Sequence, residues 1–174
     1  QESARQMIVV APTAFKGTLS PHQAAKAIAS GLRRVHPRAE ILLIPVADGG
    51  DGTREVIANG APEKRLPVHN PLGKSILAPY SLIKDTAIIE MAEASGLKLL
   101  RTREQNPERT SSFGTGELVR AAWESGARRI LLGVGGSATV DGGQGAIEAI
   151  GNARRICPSI TVLCDVKTRY LQAP

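Results

Sequence analysis

"RRILLGVGGSATVDGGQGAIEAI" (128–150) decides how this chain is read. An apolar run ends in a glycine-rich segment, and a helix-compatible stretch follows at once. Six of the thirteen residues from Gly133 to Gly145 are glycine, with two hydroxyls, one carboxylate and no large side chain. Each glycine inside a regular element costs roughly 0.5–1 kcal/mol relative to alanine. So many in one place means that the backbone turns through positive φ or that something approaches it closely. Strand, tight loop, helix is the grammar of a βα unit.

The same plan recurs on either side. "MIVVAP" (7–12) is a short apolar run and predicts a strand buried on both faces. "SPHQAAKAIASGLRRV" (20–35) opens with Ser20 as N-cap, Pro21 at the first helical position and Gln23 closing a capping box. Ala24, Ile28, Leu32 and Val35 then predict the buried helical face. "EILLIPVADGGDGT" (40–53) repeats strand and loop, and "REVIA" starts another helix. "RLPVHNPLGKSILAPY" (65–80) differs: Asn70-Pro71-Leu72-Gly73 is a good type I turn between apolar runs, hence an antiparallel hairpin and a change of domain. "TAIIE" predicts a strand ending at Glu90, "TSSFGTGELVRAAWESG" (110–126) a polar glycine loop followed by a helix with Trp123 packing, and "SITVLCDV" (159–166) a last strand with Asp165 at its end.

These alternations predict a three-layer α/β/α architecture with a mostly parallel sheet, in two domains spanning 1–64 and 65–174. Loops that follow parallel strands gather at the carboxyl edge, where open α/β sheets bind ligands. Lys16, Asp48, Glu90, the 133–141 glycines and Asp165 are therefore expected together.

Composition narrows the ligand. Aromatics are 3% against 42% hydrophobic residues, so the core is built from Ala, Val, Ile and Leu. The net charge of +6 is spread over pairs such as Arg33–Arg34, Arg128–Arg129 and Arg154–Arg155, without the aromatic interleaving of a nucleic-acid surface. Small anions fit that charge, and neither nucleic acid nor membrane is expected as a partner. "QESARQ" lacks the order of a signal peptide and reads as a frayed end. Cys157 and Cys164 are too few for a disulfide framework, and a cytoplasmic protein with two structural thiols is expected. His22, His36 and His69 have no metal-ligand spacing.

Consecutive amides in "GVGGSAT", free of side-chain bulk and leading into a helix, suit a phosphate, with Ser137 and Thr139 as hydroxyl donors. A structural crossover is the competing reading. Gly133-Val134-Gly135-Gly136-Ser137-Ala138 also fits the dinucleotide pattern G-x-G-x-x-A, but "NARRICP" (152–158) lacks the acid which that pattern requires. A P-loop is absent. Phosphoryl transfer needs a phosphate cradle, cations and a carboxylate for metal or hydroxyl. Lys16 supplies a cation, and Asp48, Asp141 and Asp165 are loop carboxylates, with Asp141 equally suited to capping a helix.

"APTAFKGTLSP", "PVADGGDGT", "IIEMAEASGL", "TSSFGTGEL" and "GVGGSATVDGGQGA", in this order and spacing, resemble the bacterial glycerate kinase family over roughly residues 7–150. The resemblance implies ATP- and Mg²⁺-dependent phosphorylation of D-glycerate in a cleft between two α/β domains, with 2-phosphoglycerate the expected product and 3-phosphoglycerate the alternative. By position it implies Lys16, Asp48, Gly49, Gly50 and Glu90 as substrate residues. It likewise implies Gly114, Thr115, Gly116, Gly133, Gly135, Gly136, Ser137 and Thr139 as phosphate or nucleotide residues. Lys16, Asp48 and Asp165 are the expected catalytic groups and Asp141 the expected metal contact. A homodimer is allowed, since these motifs do not encode oligomeric state. Two departures stand out: Thr13-Ala14 where family members commonly read Asp-Ser, and Val140 at an often polar position. Family members are also considerably longer, so the second domain is expected to be incomplete in these 174 residues. A noncatalytic binding module on the same fold and an NAD-dependent dehydrogenase are the alternative functions.

Overall fold

The computed structural model describes residues 6–151 and 158–166. The first five residues, Arg154–Arg155 and Cys157 lie outside the described residues. Two sheets form. Strands β1 (Met7–Val10) and β2 (Glu40–Leu43) pair in parallel, and helix α1 (Pro21–Val35) connects them. The second sheet has the order β3-β4-β5-β6-β7, with β3 (Glu63–His69), β4 (Ser75–Ile83), β5 (Thr86–Glu90), β6 (Arg129–Gly133) and β7 (Ser159–Leu163). The β3–β4–β5 ladders are antiparallel and the β5–β6–β7 ladders parallel. The fold is thus α/β with parallel pairings in the majority.

Local chemistry explains the elements. The α1 capping box forms as its sequence dictates: Ser20 Oγ accepts the Gln23 amide, and Gln23 accepts that of Ser20. At the hairpin the Gly73 amide donates to the Asn70 carbonyl at 3.0 Å, and Gly73 takes a φ of +77°. Asn70 Oδ1 accepts the amides of Leu72 and Lys74, which fixes the turn from inside.

Period-two alternation divides the larger sheet's faces. Val68, Ala78, Tyr80, Ala87, Ile89 and Ile130 pack with Leu118, Val119 and Ala122 of helix α4 (Phe113–Glu124). Helix α5 (Gln144–Ile150) lies beside α4, with Gly116 at the closest approach. The opposite face, which carries Glu63, Ser81, Ile88 and Glu90, receives helix α2 (Thr53–Ala58). A short helix α3 (Ala92–Ser95) and three 3-10 turns between Leu97 and Arg109 complete the connection from β5 to α4.

Two sequence expectations need correction. β1 is not buried on both faces: Met7 and Val9 are more than half exposed, because this two-stranded sheet is covered on one face only. The buried face of α1 is Pro21, Ala24, Ala25 and Ala29, while Ile28 and Val35 point to solvent. Small residues let the helix sit close to its strands, and an apolar-periodicity reading selects the larger residues beside them.

Candidate active site

The carboxyl ends of three parallel strands stand level, with Glu90 opposite Gly133 and Gly133 opposite Leu163. The Met91 amide donates to the Gly133 carbonyl at 2.8 Å and the Val134 amide to Leu163 at 3.2 Å. Across this edge lies the loop that leaves β2. The Gly135 amide donates to the Gly49 carbonyl at 2.9 Å. A Cβ on Gly49 would stand 2.3 Å from the Leu163 carbonyl oxygen, on Gly133 2.7 Å from the Gly49 oxygen, and on Gly135 2.6 Å from Gly50 Cα. These glycines form a backbone-to-backbone seam between the two sheets. Close approach is what the glycine run requires, and the chain itself supplies it at Gly133 and Gly135.

Next to the seam is a cavity of about 480 Å³. Lys16 and Ala14 reach it from the loop after β1, Asp48, Gly50 and Asp51 from the loop after β2, and Asp165 from two residues beyond β7. Gly135 and Gly136 form part of its wall, next to Leu97, whose amide donates to the Gly136 carbonyl at 2.9 Å, and Lys98 and Gln105 line it too. A more open cavity of about 500 Å³ shares Asp48 and Asp165 and adds Gly49 and the exposed thiol of Cys164. The Thr13-Ala14 departure therefore bears on the site, because Ala14 stands where a hydroxyl would face the cavity.

Lys98 and Asp51 were not singled out by sequence. Lys98 Nζ lies 2.7 Å from Glu93 and 3.3 Å from Asp51. Partial burial works against its charge, yet the two carboxylates outweigh that and raise its pKa. The signal was "ASGLK", a lysine just past a glycine in a segment that follows a strand.

Glu90, Gly114, Thr115, Gly116, Ser137, Thr139 and Asp141 are not among the residues that line either cavity. Glu90 is 3% exposed and accepts the backbone N–H of Arg54, at the start of α2. Burial, first of all, pushes its carboxyl pKa up. Gly114, Thr115 and Gly116 are buried in the first turn of α4: Gly114 abuts the His69 carbonyl, and Thr115 Oγ1 donates to Ser95 Oγ at 2.8 Å. Ser137 Oγ accepts the Thr139 amide and donates to its carbonyl, while Thr139 Oγ1 donates to Thr110. In this glycine segment the amides of Gly136 and Ser137 have no protein acceptor among the described residues.

Asp141 serves two helix starts. Its Oδ2 accepts the Ser112 amide and hydroxyl at 2.8 Å each and the Gly145 amide at 3.2 Å, and its Oδ1 accepts Gly143 at 3.0 Å. Burial opposes ionisation, but these donors prevail and lower its pKa. Its oxygens are thus engaged before any ion arrives. Among the described residues no group of three or more His, Cys, Asp or Glu could hold a metal, and no helix is long and apolar enough to cross a membrane.

Comparison with known proteins gives one consistent result. Residues 8–155 match the glycerate kinase family. A glycerate kinase from Halalkalibacterium halodurans is 47% identical over 148 residues, which cover 83% of this chain and 39% of the relative. The glycerate 2-kinase of Escherichia coli is 46% identical over the same shares. A crystal structure provisionally described as glycerate kinase 2 from Salmonella typhimurium superposes with a TM-score of 0.68 at 42% identity, covering 84% of this chain and 40% of that one. The chain thus spans about two-fifths of the length of the relatives it matches.

Proposed function

Because the chain belongs to the glycerate kinase family, we propose that it takes part in transfer of the ATP γ-phosphoryl group to a hydroxyl of D-glycerate. The observation that carries this reading is the cavity into which Lys16, Asp48 and Asp165 converge from three loops and two sheets. A hydroxyl is a poor nucleophile at neutral pH, so a carboxylate within reach of its proton is the least that the reaction needs. Asp48 or Asp165 accepts that proton, and Lys16 offsets the charge of the glycerate carboxylate or the moving phosphoryl group. Asp48 is already oriented, since its Oδ1 accepts the Gly50 amide at 2.9 Å. The Gly136 amide in the wall and the adjoining Ser137 amide are the donors left for a phosphate.

Magnesium travels with ATP and is held chiefly by phosphate oxygens plus one or two carboxylates, so no three-ligand cage is needed. Asp48 and Asp165, which face the same cavity, fit that role, and the ion would neutralise charge on the phosphates. Asp141, with both oxygens occupied by amides and a hydroxyl, fits it less well. The product expected is 2-phosphoglycerate, following the name of the Escherichia coli relative.

The test is ADP release from MgATP with and without D-glycerate, together with product identification. Glycerate-dependent release that is lost in Asp48→Asn or Asp165→Asn is expected. Glycerate binding with no ADP release would replace the kinase by a binding module, and NAD(H) binding without ATP binding would favour a dehydrogenase.

A further inference from the structure

Glu90 is a buried carboxylate outside the cavity, and its surroundings give it a task. It ends β5 on the sheet face opposite α4, because Ala87 and Ile89 fill the other face. Helix α2 lies over Glu90, which accepts the Arg54 amide at 2.5 Å. The Arg54 side chain goes elsewhere, to Glu63 at 2.8 Å and Ser81 at 3.4 Å, so it does not neutralise Glu90. The charged groups that act on Glu90 are Glu93 and Lys98.

The residue before Arg54 continues the connection. Thr53, 1% exposed, accepts the Gly49 amide on its Oγ1 at 3.0 Å, and its own amide donates to the Gly50 carbonyl at 3.2 Å. Gly49 adjoins Asp48. A carboxylate fixed to the rigid larger sheet is thereby linked, through Arg54 N–H and Thr53 Oγ1, to the loop that bears Asp48. A buried carboxylate carries a desolvation cost that an apolar residue would avoid, and what it supplies here is a directional acceptor for backbone amides at the start of α2, that of Arg54 ahead of that of Gly52.

We propose that Glu90 is a positioning residue, which sets Asp48 in the cavity through the Arg54 amide and Thr53 and does not itself touch the substrate. The proposal rests on the kinase reading for its kinetic consequence, but not for its structural one.

Three single variants of the 174-residue chain test it: Glu90→Gln, which keeps an oxygen for the Arg54 amide, Glu90→Ala, which does not, and Thr53→Val, which removes the acceptor of the Gly49 amide at nearly constant shape. Hydrogen exchange over residues 49–54 is expected to speed up about tenfold or more in Glu90→Ala, and over 49–50 in Thr53→Val, with Glu90→Gln near wild type. In the ADP-release assay, kcat is expected to fall about tenfold or more in Glu90→Ala with KM for glycerate within about threefold, and Glu90→Gln to restore most of it. Glu90→Ala/Thr53→Val should lose little beyond Glu90→Ala, because both act on one connection. Equal losses in Glu90→Gln and Glu90→Ala would assign the role to the charge itself and overturn the proposal. Unchanged exchange in folded Glu90→Ala or in Thr53→Val would overturn it as well. Wild-type chain without glycerate turnover would remove the kinase reading and leave the exchange results to decide the linkage.

Discussion

The centre of the five-stranded sheet is clad on both faces, by α4 on one and α2 on the other, although its edge strand β7 leaves Ile160 and Val162 exposed, whereas the β1–β2 pair is clad by α1 alone. Met7, Val9 and Leu42 stand on the pair's open face, and the neighbouring Ile44 and Val46 are exposed too. Ile88, Ile89 and Ile130 of the larger sheet are wholly enclosed. The loop that carries Asp48 is formed by the chain that leaves the thinly covered pair, yet it is fixed to the well-covered sheet. Gly49 and Arg54 make that attachment, to Gly135 and Glu90, and Thr53 braces the loop between them. The site should therefore respond to damage in the larger sheet and along the seam, and tolerate change on the open face of the smaller one.

The largest effect should come from Ile89→Ala. Ile89 is fully enclosed and packs in the cluster with Leu118 and Val119, so its truncation removes transfer free energy and leaves a cavity. A loss of about 3–4 kcal/mol is expected, read as a lower urea midpoint with unchanged slope. A loss under about 1 kcal/mol would mean that the larger sheet is not the stable body described.

Gly49→Ala should come next. Gly49 has a φ of +89°, and its new Cβ would stand 2.3 Å from a backbone oxygen that cannot rotate away. About 2–3 kcal/mol is expected from strain and crowding together. Glycerate-dependent ADP release should fall further than stability explains, because the displaced loop carries Asp48. Gly135→Val presses on the same loop from the other side, with its Cβ 2.6 Å from Gly50 Cα, and should lose ATP affinity. Retained ATP affinity in Gly135→Val would remove the glycine wall from the nucleotide site.

Asp141→Asn should be milder, about 1–2 kcal/mol, since one amide oxygen still accepts while charge-assisted capping is lost at both α4 and α5. The pH dependence has a definite sign. The folded-state pKa lies below the ordinary carboxylate value of 3.8, so the contribution is whole above that value and fades as pH falls through the lowered one. Acid titration of stability should be steeper in wild type than in Asp141→Asn, and identical slopes would show that the carboxylate does not stay ionised by capping.

Much of this was legible in the sequence where one local rule decides. Ser20 with Gln23 marked the α1 start, Asn70 to Gly73 the hairpin, and "TAIIE" the limits of β5. Lys16 and Asp48 could be grouped because the parallel strands β1 and β2 put their following loops at one edge, whereas Asp165 joins them from the second sheet across the glycine seam. What the sequence left hidden depended on partners distant in the chain. Nothing near Gly135 says that Gly50 is what approaches it. Asp51, Lys98 and Glu93 meet only after the sheets dock. On α1, apolar periodicity selects Ala24 correctly but adds Ile28 and Val35, whereas the close contact is made by Ala24, Ala25 and Ala29.

Val9→Thr should have the smallest effect, and it probes the other side of the comparison. Val9 is 53% exposed in the middle of β1 and pairs with Leu42, which is also exposed. Threonine keeps the β-branched shape and strand preference, and its hydroxyl meets water on the open face. A change within about 0.5 kcal/mol is expected in urea unfolding, with ADP release unaltered. A hydroxyl buried without a partner would instead cost about 1–3 kcal/mol. A loss of that size would mean that another surface covers the open face in solution. Unfolding midpoints that rise with protein concentration would then identify that surface as a second copy of the chain.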